Sequence, residues 1–415
     1  MLYSFFSIMP VFVNLFWFIV LLPEAKQNNA KRFLTIFFGV MIVNYTAHWL
    51  YFNRQYELYT FIDSIWVFTS LASYPLYYWY IRTLTTDVEI DWRRSRVLIP
   101  AFLTALFSAI VYLLMSPQEI ETFIHGILYH EPGYPPPYSP LVRLQMFRLT
   151  LFQVIFVLQA ILSLYFGLKL IREFHAKIKR YYSDIEGKDL NPIKWMMILM
   201  VFASFISSAS SIIEKDYFIV HPILLAIPSI THSIFLFGVG YVGYKQKFSI
   251  QYFTEEVKAN DQRIAQQTKK LVPDLSVKEI SRLNKGLQTL LEEKQIYTNP
   301  DLRLSDVALM LGTNRSYLSR TINDEMNISF CELVNDYRVK HAKALLENSN
   351  DEISMEDIAS MSGFNGISSF YRVFKEKTGL SPGKYRQNCL NQKEKLKKAE
   401  EEKEEKGEKE EFVAN

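Results

Sequence analysis

The stretch "MEDIASMSGFNGISSFYRVFK", Met355 to Lys375, decides the fold, because "LSDVALMLGTNRSYLSRTIN", Leu304 to Asn323, repeats its punctuation. Ala308, Gly312, Leu318 and Arg320 correspond in order to Ala359, Gly363, Phe370 and Arg372. A small Ala lets two helices approach, a Gly supplies a turn conformation other residues resist, and an apolar anchor buries the second helix against the first. Each stretch therefore predicts helix, tight turn, helix. The second copy has one more residue between glycine and anchor, so its turn is longer. Ser354 is placed to cap the first helix of the second unit, with Asp357 three positions on. Asn314 and Asn365 are placed to cap the two second helices.

Between the repeats, "SFCELVNDYRVKHAKALLE", Ser329 to Glu347, reads as one amphipathic connecting helix. Upstream, "SVKE" (Ser276 to Glu279) is a capping box, and Ile280, Leu283, Leu287, Leu290 and Leu291 follow at helical spacing. Two second helices on a rigid connector enter successive major grooves if they sit about 34 Å apart. Their outward positions are Ser316, Ser319 and Arg320, then Ser368, Tyr371 and Arg372, residue types suited to base edges. Arg315, Lys375, Lys377, Lys384 and Arg386 are the candidates for phosphate contact. Residues 276 to 392 carry 15 basic and 15 acidic side chains, so net charge alone does not argue for DNA. Its distribution does: acids gather at 347 to 357, whereas Gly363 to Arg386 holds five bases and one acid. Helix-turn-helix patterns also occur in protein-docking modules, which is the rival reading.

The doubled unit, "YLSR" (Tyr317 to Arg320), Arg338 with "AKALL" (Ala342 to Leu346), and the closing "KTGLSPGKYR" together resemble the DNA-binding domain of AraC-type transcriptional regulators. The resemblance covers about 276 to 388. It implies seven helices with two helix-turn-helix units acting on promoter DNA, often as an activator, with RNA polymerase and a second copy of the chain as further partners. By that pattern Ser316, Ser319, Arg320, Ser368, Tyr371 and Arg372 face bases. Two departures stand out: Arg303 replaces the usual Ser or Thr cap of the first unit, and the first recognition helix ends in a poorly basic "TINDEM". The family's soluble sugar-binding barrel has no counterpart.

What stands before the repeats is of another kind. The chain has 415 residues, 49% of them hydrophobic and 15% aromatic, and residues 1 to 244 hold nearly all the long apolar runs. A helix crosses the hydrocarbon core with about 20 apolar residues. Seven runs qualify by eye: 3 to 22, 33 to 52, 58 to 81, 97 to 115, 149 to 171, 194 to 213 and 218 to 243. Lys and Arg number twelve in the loops at 23 to 32, 82 to 96 and 172 to 193, against four in the alternate loops at 53 to 57, 116 to 148 and 214 to 217. The positive-inside rule then puts the N-terminus outside and everything after Tyr244 in the cytoplasm of a bacterial inner membrane. The first run lacks a basic leader and is too long for a cleaved signal.

Ionisable and amide groups within spans are functional candidates, because burying them in lipid is costly. Asn44 and His48 share one helix face; Asp63, Gln153, Gln159 and His232 lie in other spans, and together these six form the expected intramembrane signal site. Interhelical hydrogen bonding is the plainer reading of the same residues. The long outer loop contains "EPGYPPPYSP", Glu131 to Pro140, which imposes extended backbone and displays Tyr134 and Tyr138.

The expected architecture is thus all-α: a seven-helix transmembrane bundle (1–244), a helical linker (245–275), a seven-helix domain with two helix-turn-helix units (276–392) and a charged tail (393–415). In the linker, Val257, Ile264 and Leu271 step by seven, a weak heptad ended by Pro273. Only Cys331 and Cys389 occur, without metal spacing, so no disulfide, metal or cofactor is expected. No phosphate loop, zinc helix or nucleophile elbow supports an enzyme. The function expected is a membrane-bound one-component regulator with an unknown signal ligand. Its rivals are a transporter or receptor whose cytoplasmic domain represses genes or docks a protein.

Overall fold

The computed structural model describes residues 2–87, 96–210, 222–267, 277–348, 353–396 and 398. The capping serine Ser276, Leu271, Pro273, Lys215, Arg93, Arg94 and most of the tail lie outside them. The described chain is helical, with one isolated bridge between Tyr182 and Arg303 and no strand. It divides into two compact units. The first comprises Met1–Phe174 and Leu190–Tyr252; the second comprises His175–Asp189 and Phe253–Asn415. The sequence division at Tyr244 did not anticipate that a loop of the apolar half, His175–Asp189, belongs with the polar half.

The first unit is built from α1 (Leu2–Leu21), α2 (Asn29–Phe52), α3 (Tyr56–Thr85), α4 (Ile99–Leu114), α5 (Pro140–Lys179), α6 (Asn191–Ser210) and α7 (Pro222–Lys245). Each of the seven expected runs has its described residues largely on one of these helices, while 211–213 and 218–221 of the sixth and seventh runs lie outside the described residues. Among the described residues four segments are long and apolar enough to cross a membrane: Asn29–Phe52, Arg96–Leu114, Pro140–Lys179 and Ala226–Gln266. The apolar stretches Phe5–Leu21 and Asn191–Phe205 are shorter. Helix α3 is long, but it spends its apolar potential on Asp63, Ser and Tyr side chains that face inward, where Asp63, Ser70, Tyr74, Tyr77 and Tyr80 are buried. The outward faces are the opposite: Phe61, Phe102, Leu113, Val154, Phe202 and Ile234 are all exposed, more apolar surface than a water-facing helix bundle ordinarily shows.

Polar groups stitch this bundle from inside. Arg148 Nη2 lies 2.6 Å from Asp63 Oδ2, and both side chains are buried. Tyr112 donates to the same Oδ2 at 2.9 Å and Tyr59 to Oδ1 at 3.2 Å, while Arg148 Nε donates to Gln145 Oε1. The segment 116–140 packs against α2: Tyr51 and Tyr129 stack at 4.5 Å, Tyr129 donates to the Tyr51 carbonyl and Tyr51 to the Leu128 carbonyl. Phe123, Ile124 and Val142 complete that apolar cluster. His125 pairs with Glu131 at 2.7 Å, and Tyr134 donates to Glu121.

In the second unit, the linker helix (Ile250–Gln267) and the first domain helix (Val277–Glu292) precede the two helix-turn-helix units. The first unit pairs Leu304–Met310 with a recognition helix, Arg315–Arg320, extended by a wider turn over Thr321–Glu325. The connecting helix is Phe330–Asn348; the second unit pairs Met355–Met361 with a recognition helix, Ile367–Thr378, and residues 382–396 close the domain as a further helix. The repeat does what its residues dictate. Ala308, Leu318, Ala359 and Phe370 are all buried at the helix crossings. Gly312 and Gly363 take φ of +64° and +86°, a region unfavourable to side-chain-bearing residues. At Gly363 space also forbids one, because a Cβ would stand 2.3 Å from the Tyr297 carbonyl oxygen.

Candidate nucleic-acid interface

The first recognition helix begins at Asn314, whose side chain accepts from the Tyr317 N–H. Its partner helix begins at Arg303, where the family pattern has a hydroxyl. The structure replaces the missing side-chain cap with the reverse contact, Arg303 N–H donating to Asp306 Oδ2 at 3.0 Å. In the second unit Ser354 caps as expected, accepting from the Asp357 N–H. Asn365 does not cap. The extra residue in that turn moves the helix start to Ile367, so Gly366 occupies the capping position, with φ of −155° and no side-chain bond.

Of the residues expected to face bases, Ser316, Arg320, Ser368, Tyr371 and Arg372 are exposed and Ser319 is half-buried. Arg320 is 3.8 Å from Asp324, and Asn323 donates to the Ser319 hydroxyl at 3.0 Å. Val373 and Phe374, between the outward positions, are buried in the cluster with Val339, Ala342, Leu346, Ile358 and Phe370. Apolar packing on one face therefore fixes which face Ser368, Tyr371 and Arg372 present.

The phosphate candidates divide. Lys375 and Lys384 are exposed, and Lys377 pairs with Asp336 at 2.6 Å. Arg386 is buried, and its Nη2 donates to the Ile353 carbonyl at 2.7 Å, so it braces the chain before the second unit. Its neighbours in sequence suggested a basic surface; the turn after Gly379 rolls it inward instead. Arg315 is held by the Asp261 carboxylate.

Arg338 was legible only as part of a resemblance, and the structure gives it a physical role. It is fully buried, with Nε donating to the Tyr297 carbonyl at 2.9 Å and Nη2 to the Asn299 carbonyl at 2.8 Å. Its guanidinium lies 5.8 Å from the Phe364 ring in the second turn. One side chain thus ties the entry to the first helix-turn-helix, the connecting helix and the second turn. Burial pushes the Arg338 guanidinium down to about 10, opposed by the charge of Asp184. Nearby Cys331 is buried, and burial raises its thiol to about 11, far from a reactive thiolate.

The intramembrane candidates are not brought to one site. Asn44 donates to Ser70 at 2.6 Å and Thr69 at 3.2 Å. His48 accepts from the Trp66 indole at 3.2 Å, and Tyr45 stands 5.7 Å from His48 and 6.3 Å from His232. Asp63 belongs to the Arg148 cluster, Gln153 is exposed, and Gln159 is buried. Asn44, His48 and Asp63 make contacts between helices, whereas His232 Nδ1 lies 2.7 Å from the Pro228 carbonyl of its own helix.

Two helix-turn-helix units share a common connecting helix, Phe330–Asn348. Residues 307–388 match the family described as "Helix-turn-helix domain". The chain is 38% identical over 87 residues to the uncharacterized HTH-type transcriptional regulator YtdP of Bacillus subtilis, covering 21% of this chain and 11% of that protein. It is 34% identical over 90 residues to the Msm operon regulatory protein of Streptococcus mutans, covering 22% of this chain and 32% of that protein. Among solved structures, the C-terminal domain of AraT, a response regulator from Geobacillus stearothermophilus, is 29% identical, with 29% of this chain and 88% of that chain covered and a TM-score of 0.23. The family match falls within the second unit, and the chain spans at most about a third of the length of these curated relatives. Residues 307–388 are accordingly a helix-turn-helix domain similar to those of the HTH-type transcriptional regulators that the chain matches.

Proposed function

We propose that the protein is a membrane-bound one-component transcriptional regulator that binds promoter DNA through both helix-turn-helix units and responds to a signal through its apolar half. The observation that carries this reading is the pair of recognition helices in one unit, each anchored by a buried apolar residue and each turning Ser and Arg outward. Ser316, Ser319, Arg320, Ser368, Tyr371 and Arg372 are the proposed base readers, and Arg315, Lys375, Lys377 and Lys384 the proposed phosphate contacts. Arg386 drops out of that set because it is buried.

The membrane part of the proposal rests on the four membrane-length segments and on the exposed apolar side chains of the first unit. The apolar runs of the sequence support seven spans, and the distribution of Lys and Arg between loops supports an outside N-terminus and a cytoplasmic DNA-binding unit. The test is DNA binding by the full-length protein in lipid nanodiscs. Affinity falls steeply as salt rises if phosphates are neutralised. A salt-insensitive or absent interaction would favour the protein-docking alternative.

A further inference from the structure

Two segments outside the helix-turn-helix units lie against the turns that this reading gives to DNA. Asp261, on the linker helix, accepts from Arg315 Nε and Nη2, both at 2.9 Å. Arg315 is the first residue of the first recognition helix. The hydrogen bond to Asp261 raises the Arg315 guanidinium above its ordinary value against the opposing effect of burial. The same face of the linker helix is fastened nearby: Glu256 reaches Arg303 Nε at 2.7 Å and accepts from the Tyr182 hydroxyl at 2.8 Å, Asn260 donates to the Tyr181 hydroxyl at 2.8 Å, and Ile264 is buried. Positions 256, 260, 261 and 264 form one helical stripe. The spacing first read as a weak heptad is therefore part of a face already occupied within this unit.

At the second recognition helix the segment His175–Asp189 plays the corresponding part. Asp184 accepts from the Ser369 hydroxyl at 3.2 Å. The Glu186 carboxylate stands beside Gly366, 3.2 Å from where a Cβ would be. Gly366 is the capping position of that helix and brings no side-chain cap. Each recognition helix thus has a carboxylate at its N-terminal turn, contributed by a different segment of the chain.

In helix-turn-helix proteins the first residues of the recognition helix are the part that meets phosphates and base edges. A phosphate cannot share Arg315 with a bidentate carboxylate without displacing it, and like charges brought together at an interface repel. We propose that Asp261 and Glu186 stand in for DNA phosphates, so that the linker helix and the segment His175–Asp189 hold the domain in a DNA-excluding state. The inference rests on the DNA-binding reading. Both segments continue into helices of the apolar half: α5 runs unbroken to Lys179, and the linker helix follows α7 after four residues, Gln246 to Ser249. Displacing them is the regulated step.

The test uses the full-length protein in nanodiscs and a mixed-sequence DNA duplex long enough for two successive major grooves, with affinity read by fluorescence anisotropy across a salt series. D261N is expected to tighten binding about tenfold and to steepen the salt dependence by about one phosphate contact. E186Q tightens it as well, and the double variant exceeds either. E356Q, the same charge change on an exposed acid elsewhere in the domain, does neither. In an R315A background D261N loses its effect. Wild-type affinity and salt slope in D261N and E186Q, or an equal gain in E356Q, overturns the inference while leaving DNA binding intact. Failure of every form to bind the duplex overturns the DNA-binding reading and the inference together.

Discussion

Arg338 donates from Nη1 to the Ser183 carbonyl at 3.3 Å and from Nη2 to the Ser183 hydroxyl at 3.1 Å, tying the connecting helix to a residue 155 positions earlier in the chain. The guanidinium is wholly buried among carbonyls that have no water to turn to. Truncating it orphans those carbonyls and opens a cavity, a loss of about 3 kcal/mol or more. Arg338→Ala is therefore expected to lower the unfolding temperature of the second unit markedly, measured by thermal melting of the detergent-solubilised protein. Arg338→Lys recovers little, because an ammonium cannot span three directions in one plane.

Asp63 and Arg148 form the corresponding knot in the first unit. Removing one member of a buried ion pair leaves an uncompensated charge and costs about 3 to 5 kcal/mol. Asp63→Ala and Arg148→Ala should each destabilise by that order, while the double variant is less than the sum of the two. Additive losses in a double-mutant cycle would show that the pair is not coupled.

Gly312 and Gly363 look equivalent in the repeat, yet they should not respond equally. Gly312→Ala meets nothing within 4 Å and suffers only the left-handed backbone, about 1 kcal/mol. Gly363→Ala adds a clash with the Tyr297 carbonyl and the Thr298 backbone. Chemical denaturation should rank Gly363→Ala as clearly the more damaging.

The connecting helix starts with a reciprocal cap: the Ser329 hydroxyl accepts from the Glu332 N–H, and the Ser329 N–H and O–H donate to the Glu332 carboxylate at 2.8 and 2.7 Å. Those bonds hold the Glu332 carboxyl below its ordinary value of 4.5. A depressed folded value means that the contribution is fully present above pH 4.5 and lost as pH falls below it. Ser329→Ala costs about 1 kcal/mol at neutral pH, and the difference between variant and wild type should narrow on acidification.

Much of this was legible in the residues. Ala308, Gly312 and Leu318, against Ala359, Gly363 and Phe370, announced two helix-turn-helix units because turn chemistry and burial leave few residue choices at those positions. The apolar runs announced helices α1 to α7 for the same reason. Arg148 was not legible as a partner of Asp63, since basic residues near a span end read as loop charges, and only the fold carries α5 back to Pro140. Asp184, Glu186 and Asp261 were likewise invisible, because their partners lie 54 to 185 positions away and isolated acids carry no spacing signal. Arg386 shows the reverse: local charge pattern predicted a surface that the turn at Gly379 folds away.

The DNA-binding reading stands or falls on recognition by the second helix. The measurement is retention of chromosomal DNA fragments by membranes carrying the full-length protein, compared with membranes carrying Arg372→Ala. The account predicts a discrete set of fragments enriched by the wild-type chain, with Arg372→Ala weakened by about 1 to 3 kcal/mol and less selective among them. No enriched fragments, or a fragment profile unchanged by Arg372→Ala, contradicts it.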